Sequence, residues 1–204
     1  MTTTILLIRH GETEYVAKGI MSARMPGVPL NEKGRSQAAE VAQALAGAPI
    51  THIYSSPMER AQETASYLAN LLNLDVILAE GIIETDVGDW TGLKAEQVKD
   101  SPQWQVLMHE PSKMQFPGGE SFAGMLKRSA AEINAIASRH PGKMIACFSH
   151  ADVIRLVLVH FLQMPLDAMH RIVVDTCSVS VLEFEADGRV RVRRINQTAG
   201  QLWK

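Results

Sequence analysis

The sequence predicts an α/β fold: a three-layer α/β/α sandwich, with a mainly parallel sheet and an antiparallel edge hairpin near the C-terminus. Two patterns carry this reading. Short apolar runs alternate with stretches of helical periodicity, the sequence form of repeated strand–helix crossovers. Near the C-terminus the period changes to two on both sides of Asp187-Gly188, which signals a hairpin.

The elements follow in order. Ile5-Leu6-Leu7-Ile8 reads as a buried strand running into a loop at Arg9-His10-Gly11. Ala38, Val41, Ala42 and Leu45 recur at helical spacing, with Asn31 as the N-cap of that helix. Residues 51–54 form a second strand. Ser56-Pro57-Met58-Glu59 combines a capping box with proline at the first helical position, so a helix is expected to begin near Pro57. Its buried stripe is Ala61, Ala65, Leu68 and Leu72, and residues 74–78 form the third strand. Gly88, Gly92, Pro102, Pro111, Pro117, Gly118 and Gly119 punctuate residues 85–119. That segment is expected to be an irregular excursion over one end of the sheet, with a short helix near residues 94–99. Phe122, Met125, Leu126, Ala130, Ile133 and Ala137 then share one helical face. A strand over 144–148 ends at Ser149-His150, and an almost wholly apolar helix covers 153–162. Residues 178–184 and 189–195 make the hairpin, and residues 1–204 are read as one domain.

Composition excludes several function classes. Twenty basic against 22 acidic residues give a formal charge of -2 with all seven histidines neutral, and there is no basic run of the kind that nucleic acid requires. The apolar stretches are too short to span a membrane, and residues 1–4 lack the features of a signal peptide. Cys147 and Cys177 lie in apolar surroundings and read as buried thiols of a cytoplasmic protein.

In a parallel sheet covered on both faces, ligands bind beyond the carboxyl ends of the strands, where Arg9-His10 and Ser149-His150 fall. Arg60 near a helix start and Glu84 complete a set of two histidines, two arginines and one carboxylate. Guanidinium groups match phosphate oxygens and stay charged. An imidazole of ordinary pKa, about 6.5, is available as a nucleophile near neutral pH. Attack by histidine would split a phosphoryl transfer into two easier steps. Glu84 can protonate the leaving oxygen if its surroundings raise its pKa. Gly11 leaves room for a close backbone approach.

Arg9-His10-Gly11-Glu12-Thr13 resembles the signature of the histidine phosphatase superfamily, the phosphoglycerate-mutase-like fold. The likeness continues in order along nearly the whole chain, through residues 29–35, 55–65, 84–92, 117–121 and 149–150. It implies that His10 takes the phosphoryl group, that Arg9, Arg60 and His150 hold its oxygens, and that Glu84 serves the leaving group. No metal or other cofactor is implied. Gly11, Thr13, Arg24 and Ala151 are the candidate substrate-binding residues; Arg24 is open between reaching a second acid on the substrate and a solvated loop position. Val16 departs from the asparagine often found in the family, Ala151 from a common glycine, and Thr91 from the usual acidic residue.

The activity expected is that of a metal-independent phosphatase acting on a small phosphorylated metabolite, as a monomer or homodimer. A cofactor-dependent phosphoglycerate mutase or other phosphomutase, and a non-catalytic phospholigand-binding or interaction protein, are the alternatives. Glu12-Thr13, where mutases of the family have Gln-Ser, and the short chain favour the phosphatase. His52, His140 and His160 are assigned to packing or surface. His170 is unassigned, and at His109 a substrate contact competes with a solvated loop position. Trp90 reads as a core anchor, while Trp104 is open between core and substrate stacking. Ser149 lacks the elbow motif of a serine hydrolase, and Gly118-Gly119 is a turn.

Overall fold

A computed structural model describes residues 1–198 together with Leu202 and Trp203. Strand β1, Thr3–Arg9, buries Ile5 to Leu7 and Ile8 almost completely because it lies inside the sheet. A single turn of helix, α1, Glu14–Ala17, follows, capped by Thr13. Helix α2, Glu32–Leu45, begins where Asn31 Oδ1 accepts a hydrogen bond from the Gly34 N–H at 2.8 Å. Ala38, Val41, Ala42 and Leu45 are its buried stripe.

Strand β2, Ile50–Ser55, leads to helix α3, Glu59–Leu72. This helix starts two residues later than Pro57, and Met58 caps it without a side-chain bond. The capping box does not form because both of its side chains are used elsewhere: Glu59 accepts from the Val28 N–H, and Ser56 meets His150. Strand β3 covers only Val76–Leu78, the residues that pair with Ile53, Tyr54 and Ser55 at the sheet edge.

The excursion contains two helices, α4, Ala95–Val98, and α5, Pro102–His109. The second went unpredicted among the prolines, although Ser101 caps it and Pro102 occupies its first turn. Val87, Trp90, Val98, Met114 and Phe116 anchor the segment in the main core. Gly88, at φ +53°, lies so close to the Pro117 carbonyl that no side chain fits there. Helix α6, Phe122–Arg139, is capped by Ser121. Strand β4, Met144–Ser149, precedes helix α7, Ala151–Phe161, which starts earlier than expected because His150 is its extended N-cap. Strands β5, Val179–Phe184, and β6, Val190–Gln197, make the hairpin.

The sheet order is β3-β2-β4-β1-β5-β6, with the first four strands parallel and β5 and β6 antiparallel to their neighbours. Alternate residues of the central strands serve two cores. Leu6, Ile8, Ala146 and Phe148 pack with α2 and α3, whereas Ile5, Leu7, Ile145 and Cys147 pack with α6 and α7. The chain after β1 therefore goes to one face and the chain after β4 to the other. This switch opens a crevice at their adjacent carboxyl ends. Cys147 and Cys177 are free, buried thiols, and burial pushes Cys177 up to about 12. Among the described residues, no helix is long and apolar enough to cross a membrane.

Candidate active site

His10 leaves β1 on the ladder, its N–H donating to Ser149 O at 3.0 Å. The ring is buried, and Nδ1 lies 2.7 Å from the Gly11 carbonyl. A carbonyl only accepts, so Nδ1 carries the proton and Nε2 is the unprotonated nitrogen. The Arg60 Nε–H points at its lone pair from 3.3 Å. Burial, together with His150, Arg60 and Arg9, holds His10 well below the ordinary histidine value. The crevice thus contains a neutral imidazole with its unprotonated nitrogen among cations.

Arg60 is 1% exposed. Its Nη2 donates to Ala23 O at 2.8 Å and to Glu84 Oε2 at 3.3 Å. Arg9 Nη1 donates to Val174 O at 2.7 Å. His150 is fully buried, shares a 2.7 Å hydrogen bond with Ser56 Oγ through Nε2, and has Nδ1 3.2 Å from Glu84 Oε2. Arg9 Nε, Arg60 Nη1 and His150 Nδ1 are buried nitrogens without a hydrogen-bond partner, although Glu84 Oε2 stands close to the last of them. Each buried donor left unmade costs about 1–3 kcal/mol, and an anion with several oxygens would recover that cost.

Glu84 departs from the sequence argument, which needed a raised pKa for a proton donor. Burial does push it up, but His150, Arg60 and the Thr85 N–H outweigh burial and hold the carboxyl well below the usual carboxylate range. Surrounded by protein groups alone, Glu84 is ionised. Burial likewise lowers His150, although Glu84 opposes the shift. One ligand atom from each of His10, Glu84 and His150 lies within 4.8 Å of the others, a spacing a metal ion could use. The Arg60 guanidinium touches both His10 and Glu84, which makes this donor set better suited to an anion than to a divalent cation.

The remaining candidates fall in different places. Ala151 lines the cavity at the first turn of α7, as does Val16 opposite it in α1. Gly11 admits a close backbone approach, but the backbone concerned is that of α2: a Cβ would sit 2.5 Å from Gly34 O. Thr13 is buried as the cap of α1, accepting from the Val16 N–H. Arg24 is tied to protein acceptors, donating from Nε to Glu84 O at 2.9 Å and from Nη2 to Glu120 Oε1 at 3.0 Å. Trp104 packs on Trp90 with ring centroids 6.1 Å apart, and His109 is exposed at the end of α5. His52 stacks on His140 at 3.8 Å, and His170 donates to Leu107 O.

Sequence reasoning missed the groups that hold the site in position. Thr64 Oγ1 accepts from the Gly11 N–H at 3.0 Å and donates to Arg60 O, joining the segment that carries His10 to the helix that carries Arg60. Glu120 Oε1 accepts from Arg24, Arg128 and the Asp86 N–H, while its Oε2 accepts from Arg128 Nε. Arg128 also donates to the carbonyls of Gly81, Ile83 and Glu84. The backbone carrying Glu84 is therefore bolted to α6 and to the turn before it. Glu120 lies in the segment 117–121 that carries part of the family likeness, but nothing in its spacing says which residues it holds.

A family model for the histidine phosphatase superfamily (branch 1) matches residues 5–198. The chain is 36% identical over 199 residues to a bifunctional protein of Mycobacterium tuberculosis, covering 96% of this chain and 54% of that one. It thus spans about half the length of that relative. It is 32% identical over 183 residues to phosphoserine phosphatase 1 of Hydrogenobacter thermophilus, covering 89% of this chain and 86% of the relative. It is also 32% identical over 188 residues to a 2,3-bisphosphoglycerate-dependent phosphoglycerate mutase of Thermoplasma acidophilum, covering 91% and 88%. Among solved structures, phosphoserine phosphatase of Entamoeba histolytica in complex with phosphoserine superposes with a TM-score of 0.88 at 28% identity, covering 96% of this chain and 98% of that one.

Proposed function

The chain belongs to the histidine phosphatase superfamily, branch 1, and on that premise we propose that it hydrolyses a small phosphomonoester through a phosphohistidine on His10. The observation that carries this reading is the Nδ1 hydrogen bond to Gly11 O, which leaves Nε2 neutral and unprotonated beside the unpartnered guanidinium nitrogens Arg9 Nε and Arg60 Nη1. Nε2 attacks phosphorus in line as the ester P–O bond breaks. Arg9, Arg60 and His150 hold the three non-bridging oxygens and offset the charge spread over them. The charge a metal ion would bring is thus supplied by side chains.

The proton on Glu84 comes from the chemistry of binding. An arriving phosphoryl group draws Arg60 and His150 away from the carboxylate and adds negative charge next to it, and both effects raise its proton affinity. With a second pKa of about 6, the ester can bring that proton as a monoanion. Glu84 then gives it to the leaving oxygen, and in the second step takes one from the water that cleaves the N–P bond. Inorganic phosphate leaves and His10 returns neutral. Thr85 and Val87, at the start of the excursion, line the cavity.

The test is release of nitrophenol from 4-nitrophenyl phosphate in excess chelator, by the parent and by His10→Ala. Full activity with chelator and a loss of at least about a thousandfold in the variant are expected. Activity that vanishes with chelator, or survives the substitution, overturns the mechanism. The similarity to the Thermoplasma mutase favours one second reading, phosphoryl exchange on phosphoglycerate. Isomerisation that depends on added bisphosphate, without net phosphate release, would establish it instead.

A further inference from the structure

The cavity of about 150 Å³ has two unlike ends. Arg9, His10 and Glu84 line the inner end, where the unpartnered nitrogens await an anion. Val16, Ile20 and Met21, apolar and half-buried, make its more exposed, outer end, and Ser22, Thr85 and Val87 complete the lining as buried residues. Among the described residues that line the cavity, no lysine or arginine other than Arg9 is present. The nearby cation Arg24 is committed to Glu84 O and Glu120 and has Asp86 Oδ2 3.8 Å from Nη1. The charged side chain of the outer end is acidic: Asp152, paired with Arg155 at 2.8 Å.

We propose that this site selects phosphomonoesters with an apolar, uncharged leaving group and rejects those whose leaving group carries a carboxylate. The proposal rests on the phosphatase reading and names its substrate class. A carboxylate on the leaving group would lose water among Val16, Ile20 and Met21, find no free cation, and stand near Asp152. A methylene chain or a ring at the same place would gain from burial. The outer end therefore discriminates by what it withholds.

Two matched pairs test this: phenyl phosphate against 4-carboxyphenyl phosphate, and glycerol 3-phosphate against 3-phosphoglycerate. The carboxylate-free member of each is expected to have at least a tenfold higher kcat/KM, although leaving-group acidity favours 4-carboxyphenyl phosphate. Val16→Lys, or Met21→Lys at a second position, places a cation at the outer end and should narrow the ratio at least fivefold. Equal or reversed preference in both pairs, or ratios that neither variant moves, overturns the proposal. If neither the pairs nor 4-nitrophenyl phosphate are turned over, the phosphatase reading fails on its own account. Calorimetric binding of the same pairs then still decides specificity: tighter binding of the carboxylate-free members upholds the outer-end selection, and equal or weaker binding refutes it.

Discussion

Replacing Glu120 by alanine isolates the bolt that holds Glu84. The carboxylate accepts four hydrogen bonds, three from guanidinium groups and one from the Asp86 N–H. Losing the acceptor for Asp86 leaves a shielded N–H unpaired, at about 1–2 kcal/mol. Arg24 and Arg128 are 34% and 22% exposed, so each lost ion pair is discounted for solvent to about 0.5–1 kcal/mol. The sum is about 3 kcal/mol, which for a chain of this size lowers Tm by roughly 6–12 °C. Arg24 and Arg128 both donate to the Glu84 carbonyl, so their release also shifts the carboxyl group. A displacement near 1 Å costs up to about a hundredfold, so kcat for 4-nitrophenyl phosphate should fall roughly 10- to 100-fold. KM should stay within about threefold, because Arg9, Arg60 and His150 are untouched. Glu120→Gln keeps an acceptor for Asp86 and should lose about half the stability. Thermal melts with steady-state kinetics on both variants read the outcome. A melt within about 2 °C of the parent, or a large loss of stability at unchanged kcat, would show that Glu120 does not hold Glu84.

Two further predictions concern protonation and backbone packing. His10 and His150 are held below their ordinary value of 6.5, so below that pH the unfolded chain binds more protons than the folded one. Their contribution to stability is complete above pH 6.5 and is lost as pH falls. Glu84, held well below 4.5, adds a second loss that begins there. Melting midpoints across this range should show both, and the slope between the two values should lessen in His10→Gln. Because His10 stays neutral, the acid limb of kcat/KM should lie below 6.5; a limb centred at or above that value would contradict the assignment. Gly34→Ala puts a Cβ 2.0 Å from Glu12 O, and Gly11→Ala puts one 2.5 Å from Gly34 O. Neither backbone can yield cheaply, so urea midpoints should report a loss of about 3 kcal/mol or more for each. Gly47→Ala, with nothing within 4 Å, should stay within about 0.5 kcal/mol of the parent.

The layers were legible in the sequence, and so was the meeting of Arg9, His10 and Glu84 at one cavity. Ile5-Leu6-Leu7-Ile8 has no polar member and is too short for a helix, so it reads as a strand buried on both faces with polar Arg9-His10 at its end. The stripe Ala38, Val41, Ala42 and Leu45 was equally legible, because side chains at these spacings share one face whatever they pack against. What depends on partners distant in sequence was not legible. Ser56 and Glu59 match a capping box, yet His150 and Val28 claim them, and α3 starts later as a result. Arg24 reads as a free cation until Glu120, from the far side of the excursion, is folded against it. Gly11 reads as a glycine made for phosphate until Gly34 approaches it. Glu84 is the sharpest case. Its place at the head of the family-like segment 84–92 was visible, but the sign of its pKa shift is a balance between burial and the distances to His150 and Arg60. Such a balance is a property of three-dimensional separation, and only the tertiary structure decides it.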